Sequence, residues 1–220
     1  MMNKEKINII GTNQTIKNSL ETKGYEIEQF GRFTKPSIDF TSENLQTSIN
    51  KILDLEVGNK FLILSGLLQQ KTILEQSKSE IINSHLINSV GPVILCESIL
   101  KKISNAQIIL LGSESGYKGS YDLNYALAKS SLKMYVKQRQ VKVNQKLLLI
   151  SPSTIDDLGM TLRRKDIERL ALYRSKHPKK RFLKSEELVD MIDFLFKFSV
   201  YITNTEIQLN GGKFTLMKDI

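Results

Sequence analysis

"AQIILLGSESGYKGSYDLNYALAK", residues 106–129, is the stretch that decides the fold of this chain. It consists of a short apolar run at 107–112, a polar loop, and the start of a helical segment at 121–140. A uniformly apolar run of this length is typical of a strand that is buried on both faces of a parallel sheet. In such a sheet, ligands bind beyond the carboxyl ends of the strands. The polar residues that follow Leu111 are therefore candidates for a functional site.

Strands and helices alternate in the same way along the whole chain. The apolar runs that we predict as strands are 7–11, 25–30, 37–40, 60–66, 107–112, 146–152 and 206–212. The predicted helices include 16–24, which Gly24 closes, 42–53 with Ser42 as its N-cap, 82–103 and 121–140. This alternation indicates a parallel sheet with helices on both faces. We expect one doubly wound α/β domain of about seven strands over residues 1–220, without a repeat or a linker.

Composition argues against several classes of protein. The chain has no apolar run of about 18 residues and no charged-then-apolar leader, so we expect neither a membrane span nor a secretory signal. The single cysteine, Cys96, cannot form an intrachain disulfide, which fits a reducing cytoplasm, and its apolar neighbours indicate a core residue. The net charge of +9 suits an anionic ligand, although genomic base composition would explain the many lysines equally well. His85 and His177 have no partner at metal-ligand spacing, so we expect no metal site.

Tyr125 and Lys129 form a candidate catalytic pair within the opening stretch. Residues four apart share one face of a helix, so the lysine would lie beside the tyrosine. A nearby ammonium group lowers the pKa of a phenol, which is otherwise about 10, towards a range useful for acid–base catalysis. The spacing alone occurs by chance in a lysine-rich chain. Ser113 adds context, because its hydroxyl, at the end of the preceding strand, could hold a carbonyl oxygen that the tyrosine protonates.

With these residues the chain resembles the short-chain dehydrogenase/reductase family, in its single-domain, Rossmann-like branch, over nearly its whole length. That family pairs a strand-end serine with a Tyr-x-x-x-Lys helix and has an Asn-x-x-Gly pattern in the preceding helix, here "NSVG" with Asn88. The resemblance implies that Tyr125 is the acid–base residue and that Ser113, with Ser115 as the alternative, orients the substrate carbonyl. Lys129 would hold the nicotinamide ribose and lower the tyrosine pKa, and Asn88 would support a water relay to Lys129.

The cofactor half of the chain departs from the family pattern. The glycine-rich motif is reduced to "IGTNQTIK", in which Gly11 remains and Thr15 and Lys17 replace later glycines. Lys17 could contact the pyrophosphate by charge, or it could mark a site that no longer binds cofactor. The cofactor-binding residues that the resemblance implies are Gly11, Asn13, Ile16, Lys17, Arg32, Asp39, Phe40, Ser65, Gly66, Pro152 and Ile155.

The end of the second predicted strand favours NADP over NAD. The sequence "QFGR" has no carboxylate between Gln29 and Arg32, and Arg32 could contact the 2′-phosphate, with Lys35 adding positive charge. The alternative for Arg32 is a solvated loop residue. A register shift would instead put the carboxylate of Glu28 at the ribose, which would favour NAD.

Two functional hypotheses follow. The first is an NAD(P)-dependent oxidoreductase that interconverts a carbonyl and an alcohol on a small molecule. The second is a catalytically silent relative that acts as a binding or assembly module. We predict a lid at about 154–184, in which residues 162–182 contain nine lysines and arginines. Such a lid suits a nucleotide sugar, a phosphorylated sugar or a carrier-linked acyl group, or else it is simply solvated. The lid has few interleaved aromatic residues, which speaks against nucleic acid. Association into a homodimer or homotetramer would use the helices of Asn88 and Tyr125.

Overall fold

A computed structural model of the chain describes residues 4–162 and 166–215. In these ranges the strands form a six-stranded parallel sheet in the order β2-β1-β3-β4-β5-β6. The strands are β1 (Lys6–Ile10), β2 (Glu26–Phe30), β3 (Lys60–Ile63), β4 (Gln107–Leu111), β5 (Lys146–Pro152) and β6 (Thr205–Leu209). The α-helices are α1 (Gln14–Thr22), α2 (Leu45–Leu53), α3 (Lys78–His85), α4 (Gly91–Lys102), α5 (Ser115–Lys118), α6 (Leu123–Gln138), α7 (Gly159–Leu162), α8 (Ile167–Lys176) and α9 (Ser185–Lys197).

Helices cover both faces of the sheet, as the apolar strands predict. On one face, α2, α4 and α6 bury a cluster that includes Ile49, Leu95 and Leu132. On the other face, α1 and α9 pack over the sheet through residues such as Leu20 and Ile192. The doubly wound α/β class is therefore confirmed. Strand β1 pairs with β2 on one side and with β3 on the other, so the chain changes direction at the carboxyl ends of β1 and β3. This switch point is where such sheets bind nucleotides.

The sheet has six strands in the described residues rather than about seven, because 37–40 is not a strand. Within this segment, the carboxylate of Asp39 accepts hydrogen bonds from the backbone nitrogen and the hydroxyl of Thr41, at 2.9 and 2.7 Å. A local turn of this kind competes with strand pairing. Ile38 and Phe40 are still buried in the core. The apolar pattern therefore predicted their burial correctly and their secondary structure incorrectly.

The helix predictions hold with two changes. Gly24 follows α1 with a φ of +96°, as predicted, but α2 begins at Leu45 rather than after Ser42. The Ser42 hydroxyl accepts a hydrogen bond from the backbone nitrogen of Asn44 at 3.1 Å and so stabilises the turn before the helix. The predicted helix 82–103 begins earlier, at Lys78, and contains a π-helical turn at Leu86–Val90 between α3 and α4. Such turns are frequent at functional sites, and this one contains Asn88.

The predicted lid lies between β5 and α9. It contains α7 and α8, and its residues 163–165 are outside the part of the chain that the structure describes. Across the described residues, no helix is both long enough and apolar enough to cross a bilayer.

Candidate active site

The carboxyl edge of the sheet gathers the strand-end residues that the sequence singles out. Gly11 follows β1 with a φ of +100°, and a Cβ atom at this position would lie 3.3 Å from the backbone nitrogen of Ser65 after β3. After β4, the backbone nitrogen of Glu114, next to Ser113, donates to the carbonyl of Pro152 at 2.9 Å. Four neighbouring strands therefore contribute to one edge.

Tyr125 lies in the first turn of α6, and its side chain is 7% exposed. Its hydroxyl is hydrogen-bonded to Ser113, whose Oγ also accepts from the backbone nitrogen of Ser115 at 3.1 Å. Burial raises the pKa of Tyr125 above its usual value of 10.0, the hydrogen bond from Ser113 opposes that rise, and the carboxylate of Asp122 adds to it. Of the two candidate serines, Ser113 is favoured because its hydroxyl contacts Tyr125. Ser115 contributes a backbone N–H to the Ser113 hydroxyl.

Lys129 lies behind the tyrosine, one turn further along α6. Its Nζ donates to the carbonyls of Ser65 and Leu111, at 3.1 and 2.8 Å, and lies 5.9 Å from the centroid of the Tyr125 ring. Burial lowers the pKa of Lys129 to about 7. The expectation that Lys129 lowers the pKa of Tyr125 stays a prediction, because in this structure burial is the main cause of the shift and raises that pKa. The ammonium group is directed at two carbonyls and not at the phenol, while burial of the phenol dominates.

Asn88 holds the loop that follows β3. Its Oδ1 accepts from the backbone nitrogen of Leu67 and its Nδ2 donates to the carbonyl of the same residue, both at 2.8 Å, and Nδ2 also donates to Ser84 at 3.1 Å. The side chain is fully buried. The amide group of Asn88 therefore hydrogen-bonds the loop after β3. The water relay from Asn88 to Lys129 stays a prediction.

Several features at the switch point fit a dinucleotide. The left-handed backbone of Gly11 leaves space that a side chain would fill against Ser65. Asn13 caps α1 by accepting from the backbone nitrogen of Ile16 at 3.0 Å, which directs the positive end of the helix dipole to this edge. The Oγ of Ser65 is buried without a hydrogen-bond partner in the described part of the chain. Buried hydroxyls are normally paired, so an external partner fits here.

The side chains of other predicted cofactor-binding residues contact other parts of the protein. Lys17 forms an ion pair with Glu21 at 3.7 Å, along α1. Arg32 and Asp39, predicted as separate contacts, pair with each other at 3.0 Å. Phe40 is buried in the core.

Two further predicted contacts lie on the other side of the site. Ile155 forms a bridge with Leu183 and packs against the second core cluster, and Pro152 pairs with Leu209 in the sheet. Gly66 lies between Ser65 and the Leu67 that Asn88 holds.

The sequence patterns did not predict two buried acidic residues beside the site. Glu114 is 5% exposed and pairs with Lys118 at 3.2 Å and with Lys213 at 2.9 Å. Asp122 is fully buried and caps α6 by accepting from the backbone nitrogen of Tyr125 at 3.1 Å. The position of an aspartate three residues before Tyr125 is an N-cap signal that could have revealed it. For Glu114, the local pair with Lys118 does not indicate burial, and its second partner, Lys213, is 99 residues away. Within the described ranges, no group of three His, Cys, Asp or Glu side chains is placed to bind a metal ion.

The structure thus combines a doubly wound parallel sheet with a serine, a tyrosine and a lysine at its carboxyl edge. No protein-family model matches the chain. The chain is 28% identical over 234 residues to the 3-oxoacyl-[acyl-carrier-protein] reductase FabG of Buchnera aphidicola subsp. Acyrthosiphon pisum (strain APS), covering 97% of this chain and 89% of that protein.

Solved structures share the fold at lower identity. A short-chain dehydrogenase/reductase of the glucose/ribitol dehydrogenase type from Brucella melitensis has a TM-score of 0.80 at 20% identity, covering 96% of this chain and 97% of that one. The ligand-free aldohexose dehydrogenase of Thermoplasma acidophilum has a TM-score of 0.79 at 17% identity, covering 99% and 96%. An ElxO variant with NADPH bound has a TM-score of 0.81 at 16% identity, covering 96% and 98%. By sequence and fold together, the chain is similar to proteins of the short-chain dehydrogenase/reductase family.

Proposed function

We propose that this protein reduces the 3-oxo group of a carrier-linked acyl chain to a hydroxyl group, with NADPH as the reductant and Tyr125 as the acid. The observation that carries the proposal is the hydrogen-bonded hydroxyl pair of Ser113 and Tyr125 at the carboxyl edge. The likeness to the Buchnera reductase over 97% of the chain supports the substrate class.

The residues of the site have distinct roles in this reaction. Ser113 holds the substrate carbonyl oxygen by a hydrogen bond, and Tyr125 donates the proton from its Oη to the same oxygen. The raised pKa of Tyr125 keeps the phenol protonated at neutral pH, which suits an acid. Lys129, through Ser65 and Leu111, holds α6 against the ends of β3 and β4. When bound, NADPH supplies the hydride for the carbonyl carbon.

NADP is the proposed cofactor in preference to NAD. Arg32 is 54% exposed after β2, and its pairing with Asp39 orients the guanidinium without burying it. Arginine recognises phosphate by two parallel hydrogen bonds. Glu28, whose carboxylate would favour NAD, instead lies 3.3 Å from Lys6 near the opposite end of the strands. Gly11, Asn13, Ser65 and Lys129 would hold the rest of the dinucleotide.

The basic lid supports an acidic carrier as the source of the acyl group. Lys176, Lys179 and Lys180 are exposed at the end of α8, where the lid meets solvent. A basic surface attracts an acidic partner and speeds its association at low salt. Self-association is proposed through α4 and α6, on which Ile94, Leu127 and Met134 are 37%, 50% and 59% exposed. The buried Cys96 agrees with a proposed cytoplasmic location.

Turnover with three substrates tests the proposal. NADPH oxidation would be followed with acetoacetyl-acyl carrier protein and acetoacetyl-CoA, and NADP+ reduction with an aldohexose. We expect turnover with both thioesters and a lower KM for the carrier-linked one, with loss of that difference at high salt. Turnover with the aldohexose alone, or a KM that does not depend on the carrier, would contradict the substrate assignment.

Tyr125→Phe tests the acid. We expect kcat to fall roughly 10²- to 10⁴-fold, the usual contribution of general acid catalysis. Tyr135→Phe is the matched control, because Tyr135 lies on the same helix and donates its hydroxyl to Glu97 at 2.7 Å, outside the site. That variant should keep kcat. Near-normal turnover by Tyr125→Phe would rule out Tyr125 as the acid.

The second candidate function is a silent relative that binds or assembles without turnover. The replacement of motif glycines by Thr15 and Lys17, and the pairing of Lys17 with Glu21, favour it. Titration with NADPH and NADH, followed by a shift in melting temperature, separates the two. An enzyme should be stabilised by its cofactor, whereas absence of a shift with either dinucleotide would favour the silent relative.

A further inference from the structure

Asp122 is a fully buried carboxylate at the start of α6 that accepts hydrogen bonds from two parts of the chain. Its Oδ1 accepts from the backbone nitrogen of Tyr125 at 3.1 Å and from Nε2 of Gln76 at 3.0 Å. Its Oδ2 accepts from the backbone nitrogen of Gln69 at 2.7 Å. Asn124 closes the network by donating to Oε1 of Gln76 at 2.9 Å. A single side chain thus joins the catalytic helix to the loop that follows β3.

That loop begins at Ser65, where the carbonyl accepts from Lys129. It is held at Leu67 by Asn88 and at Gln69 by Asp122. Of these contacts, the one from Asp122 connects the loop with the turn of α6 that carries Tyr125. Alongside the contact of Lys129 with Ser65, the two oxygens of one carboxylate therefore help to set the position of the loop relative to the tyrosine.

We propose that Asp122 is a positioning residue for the reaction, which holds the loop after β3 at a set distance from Tyr125 and Lys129. The inference rests on the proposed function, because only a working site has a geometry to maintain. Capping α6 needs one oxygen, as a serine or a threonine would supply. A cap alone does not require the second oxygen of Asp122, which accepts from the backbone nitrogen of Gln69. Burying a carboxylate costs free energy unless it is well hydrogen-bonded, so we expect a buried carboxylate at this position to have a function.

The charge of Asp122 also acts on the acid itself. Three polar groups face Tyr125: the hydroxyl of Ser113, which lowers its pKa, the carboxylate of Asp122, which raises it, and the ammonium of Lys129 beside the ring. Removing the carboxylate should therefore lower the pKa of Tyr125. A reduction that needs the protonated phenol loses rate as pH rises through that pKa. In a variant without the charge, the alkaline limb of the kcat profile should begin at lower pH.

Asp122→Ser separates the two roles of the carboxylate. Serine can still cap α6 at Tyr125, but it has no second oxygen for Gln69. Asp122→Asn keeps the size and presents an amide group to the Gln69 nitrogen, which is a donor facing a donor. Asn204→Gly is the matched control. Nδ2 of Asn204 donates to the carbonyls of Val136 and Arg139 at 2.7 and 2.6 Å, at the far end of α6, and glycine keeps its φ of +53°.

Hydrogen exchange and kinetics are measured on wild type and on the three variants. We expect faster exchange in the peptide 66–76 of both Asp122 variants, with α6 still protected, whether or not the wild type turns over the proposed substrate. With that substrate, kcat should fall roughly tenfold to a hundredfold, since a shift of about 1 Å in a site costs about 10²-fold. The alkaline limb should move to lower pH, and Asn204→Gly should lose stability only.

Exchange in 66–76 that matches wild type would overturn the proposal, and so would a kcat within about twofold of wild type together with an unmoved pH profile. Inactivity of the wild type with every thioester would instead contradict the proposed function. In that case exchange alone decides whether Asp122 holds the loop.

Discussion

Lys129 illustrates how burial decides the state of a single residue. Its pKa of about 7 in the folded protein is below the value of 10.5 that an exposed lysine has. Between these pH values the unfolded chain binds more protons than the folded one, so stability rises with pH. The protein should therefore gain stability between about pH 7 and 8.5, by at most about 1.4 kcal/mol per pH unit from this group.

Lys129→Met should flatten that rise, because methionine has no proton to lose. Denaturant unfolding at several pH values measures the effect. Lys133→Met is the control, since Lys133 is exposed on the same helix and pairs with Glu206. A pH slope that is the same in wild type and Lys129→Met would show that the buried amine does not titrate in this range.

We predict at the same scale that Arg32 selects NADPH over NADH. Arg32→Ala should weaken NADPH binding roughly tenfold to a hundredfold, since a hydrogen bond to a charged group contributes about 1.5–3 kcal/mol. NADH binding should not change, because NADH has no 2′-phosphate. Arg139→Ala, which removes a partly exposed arginine paired with Glu97 at 2.7 Å, controls for loss of charge. An equal loss of affinity for NADPH and NADH on mutation of Arg32 would contradict NADP selectivity.

At the scale of elements, the turn from β1 into α1 depends on the backbone of Gly11. Gly11→Ala should destabilise the protein by about 1–2 kcal/mol, the cost of a side chain in the left-handed region. It should also weaken dinucleotide binding, because the new Cβ would lie 3.3 Å from the Ser65 nitrogen. Gly24→Ala has a similar φ of +96° with no atom within 4 Å, so it should show the stability loss alone. Calorimetry and titration of both variants measure the two effects.

If the two glycine variants bound dinucleotide equally well, the approach of Gly11 to Ser65 would not belong to the cofactor site. The π-helical turn at Leu86–Val90 is a second element that sequence periodicity does not reveal. An apolar helix predicted at 82–103 continues through it, and the turn matters because it contains Asn88.

At the scale of the whole molecule, the exposed apolar side chains of α4 and α6 predict self-association. Sedimentation at micromolar concentration should give a dimer or tetramer of the 25.1 kDa chain. Leu127→Glu with Met134→Glu should shift it to monomer, because burying unpaired charges at an interface is costly. Val143→Glu, at a position 88% exposed elsewhere, should leave the assembly intact. A wild-type monomer at that concentration would contradict the prediction.

Local patterns were sufficient to predict the fold class and to select candidate site residues. Six of the seven apolar runs are strands of the parallel sheet, Gly24 follows the end of its helix, and Cys96 lies in the core. These features depend on periodicity and on backbone preference, which neighbouring residues carry. The candidate residues Ser113 and Tyr125 could be found because parallel strands bring their carboxyl ends to one edge.

Tertiary structure alone decided which partner each polar side chain has. Lys129 bonds carbonyls at positions 65 and 111, Asp122 joins a loop 53 residues away, and Arg32 pairs with Asp39. Such contacts depend on packing between distant segments and on burial, which set both the geometry and the pKa of each group. Neither is encoded in local spacing, so the direction of the Tyr125 pKa shift could only be read from the folded chain.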